Sequence, residues 1–238
     1  MGYKLTWAYI GQQKIRPTGW TPWANTIAYW KLDWDLTDYM WNYNGTGTGG
    51  ATITYESLPW NSNVQCVKVN SSSFSAGISL PASIWDEVWQ QQTSFTFGWF
   101  MKRTGLYAYL LYLRAGSDVI GCGCDNQTHL PDGWWLLFDL PWQSETQLTG
   151  SFADGLWHSI LWAYNHNTRT KSFYVDWQLV WTLTASSDYT TSSSGDEAYL
   201  ARINNNLCMS NMVLETNVAW TQWEATLFHN TFKSLYGL

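Results

Sequence analysis

Phe95-Thr96-Phe97-Gly98-Trp99-Phe100-Met101-Lys102 is the stretch from which the fold is read. Phe95, Phe97, Trp99 and Met101 fall on one side of a period-two ladder, and Thr96, Gly98, Phe100 and Lys102 fall on the other. Strict alternation means a β-strand, because successive side chains of an extended chain point to opposite faces. Phe100 makes the second side partly apolar as well. Strands apolar on both sides fit the inner region of a sandwich, or a sheet whose outer face binds something.

Working outward, similar short runs occupy 26–32, 66–69, 77–80, 107–113, 134–140, 157–164, 171–177, 179–183, 198–203 and 209–215, separated by Gly/Asn/Asp/Ser clusters. Many short strands joined by turns predict an all-β, two-sheet antiparallel sandwich. Helices are few. Residues 83–92 place Ile84/Val88 and Trp85/Trp89 at i,i+4 spacing. Thr221-Gln222-Trp223-Glu224 is a capping box, after which Ala225, Phe228, Phe232 and Leu235 recur on one face, predicting a helix over 221–235. The first 25 residues carry Gly11, Pro17, Gly19 and Pro22 without a sustained period, so 1–25 reads as an extended arm and 26–238 as one domain.

Composition narrows the function classes. Aromatic residues make up 18% of the 238 residues and charged ones only 13%, which excludes intrinsic disorder. Twelve Lys+Arg against eighteen Asp+Glu leave a net charge of −6, so no basic footprint for nucleic acid exists. No apolar run is long enough to span a bilayer, and the N-terminal residues show no continuous apolar signal segment. Cys122-Gly-Cys124 is too tight for a zinc knuckle and the four His are scattered. Buried free thiols are the preferred reading of Cys66, Cys122, Cys124 and Cys208, with a bridge between Cys66 and Cys208 or a similar pair as the alternative.

Several segments resemble, in family order, the laminin-G-like, concanavalin A-like jelly rolls. Ile27-Ala28-Tyr29-Trp30-Lys31-Leu32 followed by Asp38-Tyr39-Met40-Trp41-Asn42 and Gly45-Thr46 is similar to the family's opening strand and D-x-S-G-N…G-T loop. Ser94–Lys102 resembles its central strand, and Asp154-Gly155-Leu156-Trp157-His158 its D-G-x-W-H turn. Phe173-Tyr174-Val175-Asp176-Trp177-Gln178 looks like its Y-V-D-G hairpin, and Asn217-Val218-Ala219-Trp220-Thr221 like its closing segment. The resemblance implies a jelly-roll topology. Two departures stand out, because Trp41 and Trp177 occupy positions where the family has glycine. A bulky residue resists φ > 0, so the hairpin at Asp176-Trp177 is expected to be relaxed or of another turn type. A UGA codon assigned differently in the source organism would also place Trp there, which mass spectrometry of natural material decides.

No strand carries the E-x-D-x-(x)-E carboxylates of hydrolases on this fold, and Asp86, Glu87, Asp196, Glu197, Glu215 and Glu224 are expected on the solvated surface. His158 is expected to hold a structural hydrogen bond. The chain is therefore read as not an enzyme, with a glycoside hydrolase the third reading. The resemblance also implies a structural Ca²⁺ near Asp38, Asn42 and Asn211; an Asx-turn without metal fits Asp38 as well.

Nineteen Trp exceed what one jelly-roll interior should hold, so several rings are expected to face outward, where exposed apolar surface marks an interface. Indole and phenol rings stack on sugar faces while amides and carboxylates accept hydroxyls. Trp134, Trp135, Trp142, Tyr107 and Tyr109, with Asp132 and Gln143, are the candidate glycan-binding set. Trp7, Trp20 and Trp23 of the arm are candidate assembly contacts. The leading expectation is a non-catalytic glycan-binding or adhesion domain that meets a cell-surface polysaccharide, extracellular or on a virion. The alternative is a structural assembly protein forming a homo-oligomer or larger shell through its Trp-rich surface.

Overall fold

The computed structural model describes residues 8–10, 13–15, 22–58, 61–71, 76–90, 93–103, 107–116, 118–125, 134–139, 146–150, 154–185, 194–204 and 207–238, some of the strand residues by backbone alone. In chain order the strands are β1 (Ala8–Ile10), β2 (Gln13–Ile15), β3 (Thr26–Trp30), β4 (Thr46–Thr48), β5 (Thr52–Leu58), β6 (Asn61–Asn70), β7 (Gly77–Ser79), β8 (Phe95–Arg103) and β9 (Tyr107–Ala115). They continue with β10 (Asp118–Asp125), β11 (Trp134–Asp139), β12 (Thr146–Gly150), β13 (Trp157–Asn165), β14 (Thr170–Val175), β15 (Gln178–Thr184), β16 (Glu197–Asn204) and β17 (Leu207–Thr216), before helix α1 (Gln222–Tyr236).

Among the described residues two antiparallel sheets stack. One runs β12-β11-β10-β9-β16-β7-β4, and the other β15-β14-β13-β8-β17-β6-β5 with β3 added beside β17. The expected all-β sandwich is the observed fold. Phe95, Phe97, Trp99 and Met101 of β8 face the interior, as their alternation requires, with Trp162, Phe173, Leu111, Ile120 and Leu200 in the same cluster. Within the arm, β1 and β2 pair as a small antiparallel ladder of their own.

The second apolar side of the central strands is also covered, and the cover is α1. Phe100, Leu161, Tyr174 and Val213 form a second cluster with Ala225, Phe228, Phe232 and Tyr236 of the helix. Gly98 allows this approach: a Cβ there would lie 3.6 Å from a Phe228 ring carbon and 3.3 Å from Leu161. Thr221 caps α1 through a complete capping box with Glu224, and Gly237 ends it in the left-handed region at φ 75°. The second short helix is seen as a wide turn over Asp86–Gln90.

Glu215 corrects the expectation of a solvated carboxylate. It is buried, accepts hydrogen bonds from Thr26 Oγ1 (2.7 Å) and Trp220 Nε1 (2.6 Å), and burial pushes its pKa up. Glu224 serves as the helix cap. His158 holds the structural role expected of it, with Nδ1 2.8 Å from Asp176 Oδ2 and Nε2 3.3 Å from Asp154 Oδ1.

The hairpin expectation is overturned. Val175 pairs with Gln178, leaving Asp176 and Trp177 as a two-residue loop at φ 47° and 68°. A two-residue connection must match the right-handed strand twist, and turns with both residues at positive φ do so. The loop is held there by Gln222, whose Nε2 donates to the Trp177 carbonyl and whose Oε1 accepts the Leu179 amide at 3.0 Å. Trp41 is also left-handed, at φ 64°, and is 76% exposed. Its side chain gains little from such exposure while its backbone is strained, so Trp41→Gly should stabilise the chain by about 1 kcal/mol. Urea unfolding checks this; a loss of stability would mean that the indole makes a contact worth more than the strain.

Candidate functional site

The outer side of the β9–β16 sheet carries an ordered patch of rings and charges. Cross-strand pairing sets Tyr112 against Tyr199, Tyr109 against Arg202 and Arg114 against Glu197. Tyr109 and Tyr112 are three apart, which ordinary alternation would put on opposite sides. The strands are irregular here: Leu110 and Leu111 both enter the interior cluster, as do Leu200 and Ala201, and Ala201 turns left-handed at φ 53°. Each strand therefore spends one extra residue inward and returns Tyr109 and Arg202 to the side of Tyr112 and Tyr199.

The result is a platform. Ring centroids lie 5.1 Å apart for Tyr109–Tyr112 and 6.4 Å for Tyr112–Tyr199. The Arg202 guanidinium stands 4.4 Å from the Tyr112 ring centre and 5.4 Å from that of Tyr199, within cation–π range. Glu197 links the two cations, reaching Arg202 Nη1 at 3.4 Å and Arg114 Nη2 at 3.1 Å. Asp196 accepts from the Gly116 amide (3.0 Å) and Arg114 Nε (3.2 Å), and these bonds, the amide first, hold its carboxyl below the usual range. Exposed pairs of this kind add little stability, so their consequence is geometric: they fix the guanidinium plane over the rings. The rings are tilted to one another by 58° and 54°, and Arg202 covers the buried Tyr112. The half-buried Tyr109 and Tyr199 rings and the flanking donors and acceptors are therefore what a sugar can meet.

Among the described side chains of the set expected to bind, one lies in this patch. Tyr109 belongs to it. Tyr107 is paired through Asp125 to Trp135, so backbone register brings β9, β10 and β11 side by side, with Trp134 opposite Gly150. Asp132, Trp142 and Gln143 lie outside the described residues. Tyr112, Tyr199, Arg202, Arg114 and Glu197 were not anticipated. The paired irregularities that gather them leave no mark in a period-two pattern, and only the clustering of Tyr, Arg and Glu on two neighbouring runs hints at them.

The proposed calcium residues serve the fold instead. Asp38 Oδ1 accepts the Tyr29 and Met40 amides and Oδ2 those of Asn42 and Tyr43, at 2.8 to 3.0 Å. Four amides use the four lone-pair directions of a carboxylate, leaving none for an ion. Asn211 accepts from the Tyr29 hydroxyl (2.7 Å) and donates to that of Tyr236 (2.5 Å). It adopts φ 51°, where β17 passes from pairing with β6 to pairing with β3. Asn42 is exposed and its Nδ2 points to the Ile27 carbonyl at 3.4 Å. Among the described residues no group of three or more His, Cys, Asp or Glu can hold a metal ion. These three residues do not fit a Ca²⁺ site.

Trp23 of the arm is half-buried and packs against Trp220 with ring centroids 4.9 Å apart. Trp7 and Trp20 lie outside the described residues. Among the described residues, indoles do face solvent at Trp34 (55% exposed), Trp41, Trp177 and Trp223 (68%). Among the described residues no helix is long and apolar enough to cross a membrane.

The same sandwich occurs in other proteins. Domain 4 of AbnA, an extracellular arabinanase of Geobacillus stearothermophilus solved with arabinotriose, matches with TM-score 0.63 and 15% identity, over 86% of this chain and 98% of that one. The binding domain of botulinum neurotoxin DC, solved with rat synaptotagmin II, matches with TM-score 0.62 and 11% identity over 87% of this chain. That of Paraclostridial Mosquitocidal Protein 1 gives 0.62 and 10% over the same share. This chain spans about half the length of the two toxin domains (51% and 52%). At such identities the likeness is one of fold. No family model and no curated protein matches the sequence.

Proposed function

We propose that the chain is a non-catalytic carbohydrate-binding domain of the laminin-G-like, concanavalin A-like kind, acting outside the cell or on a virion surface. The observation that carries this reading is the Tyr109–Tyr112–Tyr199 ring cluster, with Arg202 held over Tyr112 and paired to Glu197. Its support includes the fold shared with a domain solved with arabinotriose. The carboxylates nearest the rings are held in pairs with Arg114 and Arg202, an arrangement suited to positioning rather than proton transfer.

Calorimetric titration with arabino-oligosaccharides and a polysaccharide panel tests it. Tyr199→Ala and Tyr109→Ala should each weaken binding about tenfold, equivalent to roughly 1.4 kcal/mol. Arg202→Ala should do the same, while reducing sugar is released by none of the proteins. A folded chain that binds no member of the panel overturns the reading.

An assembly role is favoured by a different surface. The edge strand β15 exposes Leu179, Val180 and Leu183 beside Trp177 and Trp223. A bare apolar edge is a template for pairing with another chain. Concentration-dependent oligomers lost on Val180→Lys, without any sugar response, would favour this second reading.

A further inference from the structure

We infer that Cys66 of β6 and Cys208 of β17 form an oxidisable thiol pair that closes to a disulfide between the two strands. Both are free thiols, Cys66 buried and Cys208 partly exposed. They meet because the strands are adjacent: Cys208 pairs with Lys68, two residues from Cys66 on the same side of β6. The two thiols lie close enough to influence each other's ionisation. Both also converge on Glu56 of β5, which pairs with Cys66. The Cys66 thiol points to its carbonyl at 3.5 Å and the Cys208 thiol to its carboxylate at 3.7 Å. Cys208 is a diagonal neighbour of Cys66 across the two strands, so closing the bridge draws β6 and β17 together locally.

The two cysteines have different roles. The neighbouring Cys66 draws the Cys208 thiol down in pKa; burial and Glu56 oppose this, and Lys68 and Lys102 assist it. The neighbouring Cys208 and then burial push Cys66 up. Cys208, the partly exposed thiol, is reachable by an external disulfide and is the attacking sulfur, and the buried Cys66 is the resolving one. The Cys208 thiolate attacks one sulfur of a small-molecule disulfide such as oxidised glutathione, whose S–S bond breaks and whose departing thiolate takes up a proton. Cys66 then loses its proton to water and attacks Cys208 Sγ, displacing the second glutathione as a thiol. Both cysteines are oxidised, and the external disulfide is reduced to two thiols.

The test exposes the folded full-length chain to oxidised glutathione, blocks remaining thiols and maps the peptides by mass spectrometry. A Cys66–Cys208 bridge reversed by dithiothreitol is expected, with Cys208 reacting about tenfold faster than Cys122. Cys66→Ser should instead accumulate glutathione on Cys208, because the resolving sulfur is gone. Cys208→Ser should take up none at Cys66. The wild-type mapping stands even if a variant fails to fold. All thiols remaining free, a bridge between other cysteines, or Cys66→Ser without the trapped adduct would each overturn the proposal.

Discussion

Phe100→Ala will lower the stability of the chain by about 4 kcal/mol and its melting temperature by roughly 10 °C. Phe100 is fully buried in the middle of β8, on the side away from the sandwich interior. Its ring stacks on Tyr236 at 4.4 Å and 10°, and meets Phe228 at 5.4 Å and Phe232 at 5.8 Å. Three successive turns of α1 therefore rest on one side chain. Truncation removes the transfer free energy of the ring and leaves a cavity that the helix cannot fill, since Gly98, two residues along the same side, offers no side chain. Near-UV dichroism should show the aromatic environment of the helix loosening before the strands melt. A loss below about 1 kcal/mol would mean that α1 does not dock here, and would remove the third layer from the architecture.

The same residue marks how far the sequence could be read. Strict alternation in β8 identified a strand and its two apolar sides, and the capping box at Thr221 located α1. That the second side of β8 and the apolar face of α1 cover one another was not legible, because a pattern records which side chains seek burial without naming their partner. β10 escaped notice because Gly121 and Gly123 interrupt its alternation, and β5 because an edge strand is half polar. Tyr109 was anticipated, but without Tyr112 and Arg202 beside it. The inward Leu110 and Ala201 shift the phase, so Tyr112 and Arg202 join it. Trp41 and Trp177 taught a different lesson. Their side chains argued against positive φ, yet loop length and the grip of Gln222 impose it, and both positions carry the backbone that glycine adopts freely.

His229 makes the chain acid-sensitive, with an expected loss of about 3 kcal/mol as pH falls from 6.5 to 4. The imidazole is 1% exposed, with Nδ1 2.8 Å from Ser159 Oγ and its ring 4.4 Å from that of Trp177. Burial lowers its pKa to about 4; Asp176 pulls it upward and Lys233 presses it further down. The unfolded chain takes up this proton near the ordinary value, so across that window it binds more protons than the folded chain and stability falls with pH. At neutral pH the group contributes nothing of this kind. His158 acts with the opposite sign. Burial lowers its pKa, but the bonds and charges of Asp176 and Asp154 outweigh burial and raise it overall. Its contribution is fully present below the unfolded value and is lost as pH rises through the folded one, so it is essentially constant across the window in which His229 loses stability. Urea melts of the wild type and His229→Gln across the acid range separate the two. The variant carries a constant cost from its altered bond to Ser159, and its stability should decline less steeply than that of the wild type. Parallel curves would show that His229 is protonated in the folded state. Trp177→Gly supplies an independent check, because removing the ring that covers the imidazole should return its pKa toward the ordinary value and flatten the acid limb.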